Sequence, residues 1–295
     1  MITLAPAQSS AAHVLPSSAS AAEKAAPFIK WVGGKGRLVS QLMSLLPAGI
    51  EHRRYFEPFA GGAALFFALR PQQAWLSDNN PALIHTYKAV RDRVDDVASY
   101  LELHAQHHCA EYYYAKRDDY NHRSKAGTTE HAALFIYLNK TCFNGLHRVN
   151  ARGHFNVPMG RYVRPRIINF EALRSTSMAL KKVNLRCAQF DELVDIARPG
   201  DFVYFDPPYH PLSATANFTS YTQDKFTTDD QRHLRDVFFA LDRRGCKVML
   251  SNSDSPLIRE LYAPWHLTAV NASRAVNCNA RKRGKVSELV VRNYS

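Results

Sequence analysis

The sequence predicts an α/β fold: a mostly parallel sheet with helices on its faces, interrupted by one inserted lobe. Three observations point there. From residue 27 onward, short apolar runs of strand length alternate with segments that are apolar at helical spacing. Several runs end in turns rich in Asp, Gly and Pro. The alternation stops over residues 86–166, where the composition changes. A chain of 295 residues suits one large domain carrying an insertion. At that size folding buries roughly three quarters of the unfolded surface without help from disulfides.

Residues 1–26 hold nine Ala, five Ser and two Pro, with no charge before Glu23. Such a segment cannot bury enough apolar surface to fold and reads as a disordered tail, with order beginning near Pro27. It has neither a basic start with an apolar core nor the arginines of a mitochondrial presequence. Helix 37–46 carries Leu38, Leu42 and Leu45 on one face and stops at Pro47. Strand 53–56 runs into Glu57-Pro58-Phe59-Ala60-Gly61-Gly62, then the apolar helix 63–69. Strand 74–76 ends at Ser77-Asp78, after which Asn80 can cap a helix opened by Pro81. Strand 202–205 is wholly apolar and stops at Asp206-Pro207-Pro208-Tyr209. Helix 229–244 places Leu234, Val237, Phe238 and Leu241 on one side and halts at Gly245. Strand 247–251 and two β-rich segments, 266–271 and 287–292, complete the chain. These elements divide it into a first sheet part (27–85), a lobe (86–166) and a second sheet part (167–295).

The lobe is helical and aromatic at first, then irregular. Between Glu130 and Glu171 no acid occurs, while Lys140, Arg148, Arg152, Arg161, Arg164 and Arg166 are all basic. Over the whole chain 38 Lys and Arg face 26 acids, a net +12 that favours a polyanionic partner. A second basic run is Arg281-Lys282-Arg283-Gly284-Lys285. The five cysteines are scattered, no two closer than about 30 residues, which fits neither a disulfide framework nor a metal site. No apolar run is long enough to cross a bilayer.

Gly33-Gly34-Lys35-Gly36 invites a phosphate-loop reading, but Ile29 stands where that loop needs its first glycine and Gly36 where it needs a hydroxyl. The small residues after strand 53–56 let a ligand approach the backbone at a strand-to-helix turn. Asp78, seventeen residues after Gly61 at the end of the next strand, can take both hydroxyls of a ribose. Together they suggest a nucleoside-containing cofactor. In Asp206-Pro207-Pro208-Tyr209, the prolines fix the backbone and lack amide donors. A carboxylate and a rigid carbonyl can then accept both hydrogens of an amino group, and Tyr209 offers a face to a planar base. A methyltransferase of an RNA base or a glutamine amide, or a silent DNA-binding module, would use many of the same features.

Five blocks occur in fixed order: Lys30-Trp31-Val32-Gly33-Gly34-Lys35; Glu57-Pro58-Phe59-Ala60-Gly61; Ser77-Asp78; Asn144-Gly145-Leu146 with Phe155-Asn156-Val157-Pro158; and Asp206-Pro207-Pro208-Tyr209. In this respect residues 27–280 resemble the Dam-type adenine-specific DNA methyltransferases. The resemblance implies a Rossmann-like methyltransferase sheet with an inserted, mostly helical target-recognition domain and a β-hairpin over Asn139–Tyr162. It implies S-adenosylmethionine as methyl donor, contacted by Trp31, Lys35, Phe59, Gly61, Asp78 and Asp206, and no metal. Asp206, Pro207 and Tyr209 become the catalytic group. Lys30, Asn144, Leu146, Arg148, Pro158 and Tyr162 become contacts to double-stranded DNA, with GATC as the site. Lys140-Thr141 and His154 depart from the family pattern. A cytoplasmic, nucleoid-associated enzyme with no membrane contact and no obligate protein partner is expected.

Overall fold

The strands alternate their side chains between two cores, and this alternation decides which side of the sheet carries the chemistry. In the computed structural model, which describes residues 24–211, 226–273 and 285–295, seven strands form one sheet. They are Tyr55–Glu57 (β1), Ala74–Asp78 (β2), Val183–Cys187 (β3), Phe202–Phe205 (β4), Lys247–Ser253 (β5), His266–Ser273 (β6) and Lys285–Arg292 (β7). Their order is β3-β2-β1-β4-β5-β7-β6, parallel from β3 to β5, with β7 antiparallel to both its neighbours. Tyr55, Phe202, Tyr204, Met249 and Val290 face one buried cluster, while Phe56, Val203, Phe205, Leu250 and Val291 face the other.

The second cluster is covered by Thr228–Arg243 (α8) and Pro256–Leu261 (α9). Helix α8 starts in a reciprocal capping box between Thr227 and Asp230 and ends at Gly245, whose φ of 83° suits a residue without Cβ. The first cluster lies under Val39–Met43 (α1), Ala64–Leu69 (α2), Pro81–Asp92 (α3), Val94–Gln106 (α4), Ala110–His122 (α5), Thr129–Thr141 (α6) and Phe170–Leu180 (α7). As expected, Asn80 caps α3, its Oδ1 accepting the Leu83 N–H at 3.1 Å.

Three boundaries differ from the sequence reading. The lobe was expected to open at residue 86, but α3 runs unbroken from Pro81 to Asp92. Tyr113, Tyr137 and Phe155 of the lobe belong to one continuous buried cluster with Tyr55 and Tyr204 of the sheet. The hairpin expected over Asn139–Tyr162 starts later, because α6 continues to Thr141, and its arms meet in two antiparallel bridges, Cys142↔Met159 and Val149↔Phe155. Packed chain also starts before Pro27. Ala25 is buried, and Ala26 accepts a 3.0 Å bond from Thr176 Oγ1 and donates a 3.4 Å bond back. The rest of the expected tail, residues 1–23, lies outside the described residues.

Truncation checks that last boundary. A chain starting at Lys24 is expected to melt with the full chain, whereas one starting at Pro27 loses two bonds worth about 1 kcal/mol each and melts a few degrees lower. Equal melting of the two truncations would remove Ala25 and Ala26 from the fold.

Candidate active site

The sheet order reverses at β1 and β4: the chain leaves β1 for β2 on one side and β4 for β5 on the other. A crevice opens at the carboxyl ends of such strands, and ligands of open α/β sheets bind there. Glu57 ends β1, Asp78 ends β2 and Asp206 follows β4. Glu57 and Asp206 each sit two residues beyond a tyrosine of the lobe-side cluster, so their carboxylates face the lobe.

Lys35 joins the first block to the tetrapeptide. It is only 5% exposed, with Nζ 2.6 Å from Asp206 Oδ1, donating to Gly33 O at 2.6 Å and lying 4.7 Å from the Tyr209 ring centroid. Burial pushes the Asp206 carboxyl above its ordinary range; Lys35 opposes the rise, and Glu288 adds to it. The tetrapeptide is braced from α8 and β5. Gln231 Nε2 donates to Pro208 O at 3.0 Å, and Asn252 Nδ2 donates to Gln231 Oε1 at 3.0 Å. Asn252 Oδ1 in turn accepts the His210 N–H at 3.1 Å. Tyr209 donates its hydroxyl proton to Glu288 Oε2 at 2.6 Å.

Glu57 is a strongly perturbed carboxyl. Burial pushes it up to about 8; the Tyr55 hydroxyl, donating to Oε2 at 2.8 Å, offsets part of this, and Asp206 adds to the rise. Its folded value therefore exceeds its unfolded one, so from about pH 4.5 upward the folded state retains a proton that the unfolded state has lost. Stability then falls as pH rises to about 8 and levels beyond it. Glu57→Gln removes this cost. Its gain in unfolding free energy over the parent is expected to grow by up to about 4 kcal/mol from pH 5 to pH 8. Denaturant melts of both proteins at the two pH values check it, and a pH-independent difference would place the ionised carboxylate in the folded state.

Asp78 and Gly61 form the second pole. Asp78 Oδ2 accepts the Gly61 N–H at 3.1 Å, and Oδ1 accepts the Asn80 N–H at 3.0 Å. Each oxygen takes one amide and keeps acceptor capacity for a hydroxyl. Gly61 has φ +45°, and a Cβ on it would lie 2.6 Å from Trp31 Cδ1, so both backbone and neighbour require glycine. Trp31 stacks on His147 with centroids 5.6 Å apart and planes at 23°. Burial pulls the His147 imidazole down to about 4, making it a neutral packing partner at pH 7. Phe59 turns to the α8 side, stacked on Phe190 at 5.3 Å and edge-on to Phe226 at 5.8 Å. It does not join Trp31, which packs on the lobe-side cluster. Asp78, the glycine turn and the flanking aromatics still suit an adenosyl group, so the residues present fit S-adenosylmethionine.

The expected DNA contacts gather around α6 and the irregular segment after it. The Asn139 side chain brackets Lys30, accepting its N–H and donating to its carbonyl, both at 2.7 Å, and also donates to Gly145 O at 3.1 Å. Lys30 Nζ then sits 3.9 Å from the Tyr162 ring centroid and donates to Lys140 O at 3.2 Å. Asn144 is exposed with φ 54°, and Gly145 at φ 63° lies so near Lys30 that a Cβ would approach its side chain to 2.5 Å. Arg148 donates from Nε to Asn156 Oδ1 at 2.7 Å and from Nη2 to Asn156 O at 3.2 Å. Leu146 packs on the lobe-side cluster, and Pro158 O accepts the Phe143 N–H at 2.9 Å. Arg152, Arg161 and Arg164 are exposed and have no carboxylate partner among the described residues. Arg281-Lys282-Arg283-Gly284 lies outside them.

Comparison with known proteins shows the family to which the chain belongs. A family model described as D12 class N6 adenine-specific DNA methyltransferase matches residues 31–276. Type II methyltransferase M1.LlaDCHI of Lactococcus lactis subsp. cremoris is 43% identical over 272 residues, covering 91% of this chain and 95% of that protein. Type II methyltransferase M.MjaIII of Methanocaldococcus jannaschii is 40% identical over 286 residues, 91% of this chain and 99% of the other. DNA adenine methylase of Escherichia coli (strain K12) is 37% identical over 265 residues, with 89% and 93% covered.

Proposed function

The chain belongs to the D12 class of N6 adenine-specific DNA methyltransferases, and from that premise we propose that it methylates the adenine of GATC in duplex DNA, with Asp206 and the Pro207 carbonyl gripping the target amine. The family assignment decides against an RNA base or a glutamine amide as substrate. S-adenosylmethionine, the donor of the family, supplies an electrophilic methyl group on a sulfonium centre. We assign its adenosyl part to Asp78 and the Gly61 turn, and the rest to Trp31, Lys35 and Asp206. Phe59 keeps a place at the rim through its turn, although its ring faces Phe190.

The exocyclic amine of adenine is buried in the base stack and delocalised into the ring. Extrusion of the base costs about a few kcal/mol, and stacking on Tyr209 returns about 1–3 kcal/mol. Asp206 and Pro207 O accept the two amine hydrogens, localising the lone pair on nitrogen and holding it in one orientation. Such positioning can supply roughly 7–11 kcal/mol of barrier reduction. The observation that carries this reading is the Lys35–Asp206 pair at 2.6 Å, set in the crevice beside the Tyr209 ring. Duplex DNA is assigned to the acid-free segment that ends the lobe, and the enzyme is placed at the nucleoid. Among the described residues no helix is long and apolar enough to cross a membrane.

The test is transfer of a labelled methyl group to duplexes carrying GATC and to the same duplexes with one base changed, followed by identification of the modified base. Label in N6-methyladenine on GATC alone is expected. Methylation at another sequence would refute the site, and binding without label would leave a silent DNA-binding module.

A further inference from the structure

Besides the Lys35–Asp206 pair, the loop that carries the tetrapeptide is held at Pro208, at His210 and at Tyr209. Gln231 and Asn252, 1% and 0% exposed, fix the Pro208 carbonyl and the His210 amide. Ser253 Oγ adds a 2.6 Å bond to His210 O. These contacts seat the backbone but leave the Tyr209 ring free to turn about its two side-chain torsions. The third point is Glu288 Oε2, which accepts the Tyr209 hydroxyl proton at 2.6 Å. Glu288 lies on β7, paired with Ser253 of β5 on one side and Val270 of β6 on the other, so its backbone is fixed within the sheet. It shares the parity of Val290, which faces the lobe-side cluster, and so reaches the same side as Glu57 and Asp206. Lys35 Nζ stands 4.7 Å over the ring, and a base stacking on Tyr209 would take the opposite face.

We propose that Glu288 is a positioning residue for methyl transfer: by holding the Tyr209 hydroxyl it sets the plane of the ring against which the extruded adenine stacks. This rests on the reading of Tyr209 as the stacking platform. The bond has a defined direction, since burial and the nearby Asp206 and Glu288 carboxylates push the Tyr209 phenol upward and keep it protonated as the donor. A ring tilted out of plane would still admit the base but misalign its amine with Asp206 and the Pro207 carbonyl. The loss therefore falls on turnover rather than on affinity.

The test uses the full chain, S-adenosylmethionine, a GATC duplex for kinetics, and a duplex with 2-aminopurine at the target adenine, whose emission reports on unstacking and restacking. Glu288→Ala and Tyr209→Phe are each expected to lower kcat about 10-fold with KM for DNA within about twofold, and to change the bound 2-aminopurine emission alike. The double variant should be no worse than either single one, because both remove the same bond. Glu288→Gln, which keeps an acceptor and loses the charge, should recover most of the loss. Should Glu288→Ala fail to fold, Tyr209→Phe breaks the same bond from the other side. Unchanged kcat and emission in Glu288→Ala, multiplicative losses in the double variant, or Glu288→Gln as poor as Glu288→Ala would each overturn the proposal. Unchanged kcat and emission in Tyr209→Ala would instead overturn the platform reading on which it rests.

Discussion

Asp206→Asn is expected to lower kcat by at least about 10²–10³-fold while the affinity for a GATC duplex changes only a few-fold. The amide keeps the volume of the carboxylate but loses the charge that polarises the amine, and half of it is a donor facing donors. Asp206→Ala tests the same step less cleanly: both variants leave Lys35 buried without its counter-charge, but alanine also removes the acceptor oxygen and the volume beside it. Removing one partner of such a pair costs about 3–5 kcal/mol, so both should also melt markedly lower. Adding Lys35→Met to Asp206→Asn should recover melting temperature, which assigns the stability loss to the unpaired lysine; because Lys35 also serves the methyl donor, the chemistry is read from the single variant. Single-turnover rates, DNA binding by anisotropy and melting curves on the three proteins decide it. A near-normal single-turnover rate in Asp206→Asn would remove Asp206 from the mechanism.

That reasoning begins in the sequence, because the parts that make the crevice are local. Phe202–Phe205 is apolar without interruption and is followed by Asp206 and two prolines, so the strand's end and the place of Asp206 at its carboxyl edge can be read from this one segment. Asp78 and Gly61 are likewise fixed by a strand end and a turn, and their 3.1 Å bond follows once β1 and β2 are neighbours. Strand β3 is different. Its exposed Asn184, Arg186 and Cys187 alternate with Val183 and Leu185, a weak pattern for an edge strand, and only pairing with β2 reveals it. The insertion of β7 between β5 and β6 is a long-range choice that no local signal records.

The same limit applies to the residues that brace the site. Asn139, Gln231, Asn252 and Glu288 lie from about 20 to about 110 residues from the groups they hold, and alone each reads as an ordinary helix or strand polar residue. Their one visible signal is polarity at a position whose periodicity calls for an apolar side chain. Gln231 precedes Leu234 on the buried stripe of α8, and Asn252 follows Val248 and Leu250 on the α8-facing side of β5. Polar groups at core positions must find partners, and here the partners are the loop that carries Asp206. Phe59 shows the converse. Its motif places the residue but not its rotamer, and packing with Phe190 and Phe226 chose the other side of the sheet.

Arg148→Ala should relax the choice of one base pair by about 1–3 kcal/mol, far more than it weakens binding overall. A guanidinium reads guanine by two parallel hydrogen bonds, which requires the fork to be presented in one plane. Asn156 supplies that constraint, accepting from Arg148 Nε at 2.7 Å through its side chain and from Nη2 at 3.2 Å through its carbonyl. Asn156→Ala keeps the charge and the carbonyl bond to Nη2 but removes the side-chain bond to Nε, so it should give a smaller loss at the same base pair. Arg164 is exposed with no carboxylate partner among the described residues and is assigned to a phosphate. Arg164→Ala should then weaken all duplexes alike and reduce the slope of log K against log salt by about 1. The competing account is that Arg148 also contacts a phosphate, in which case its loss lowers kcat/KM by one factor on every duplex. Measuring kcat/KM on GATC and on its single-base variants, at two salt concentrations, separates them. A loss confined to one base pair and shared in part by Asn156→Ala assigns that pair to Arg148, whereas a uniform loss moves base reading to Leu146, Pro158 and Tyr162.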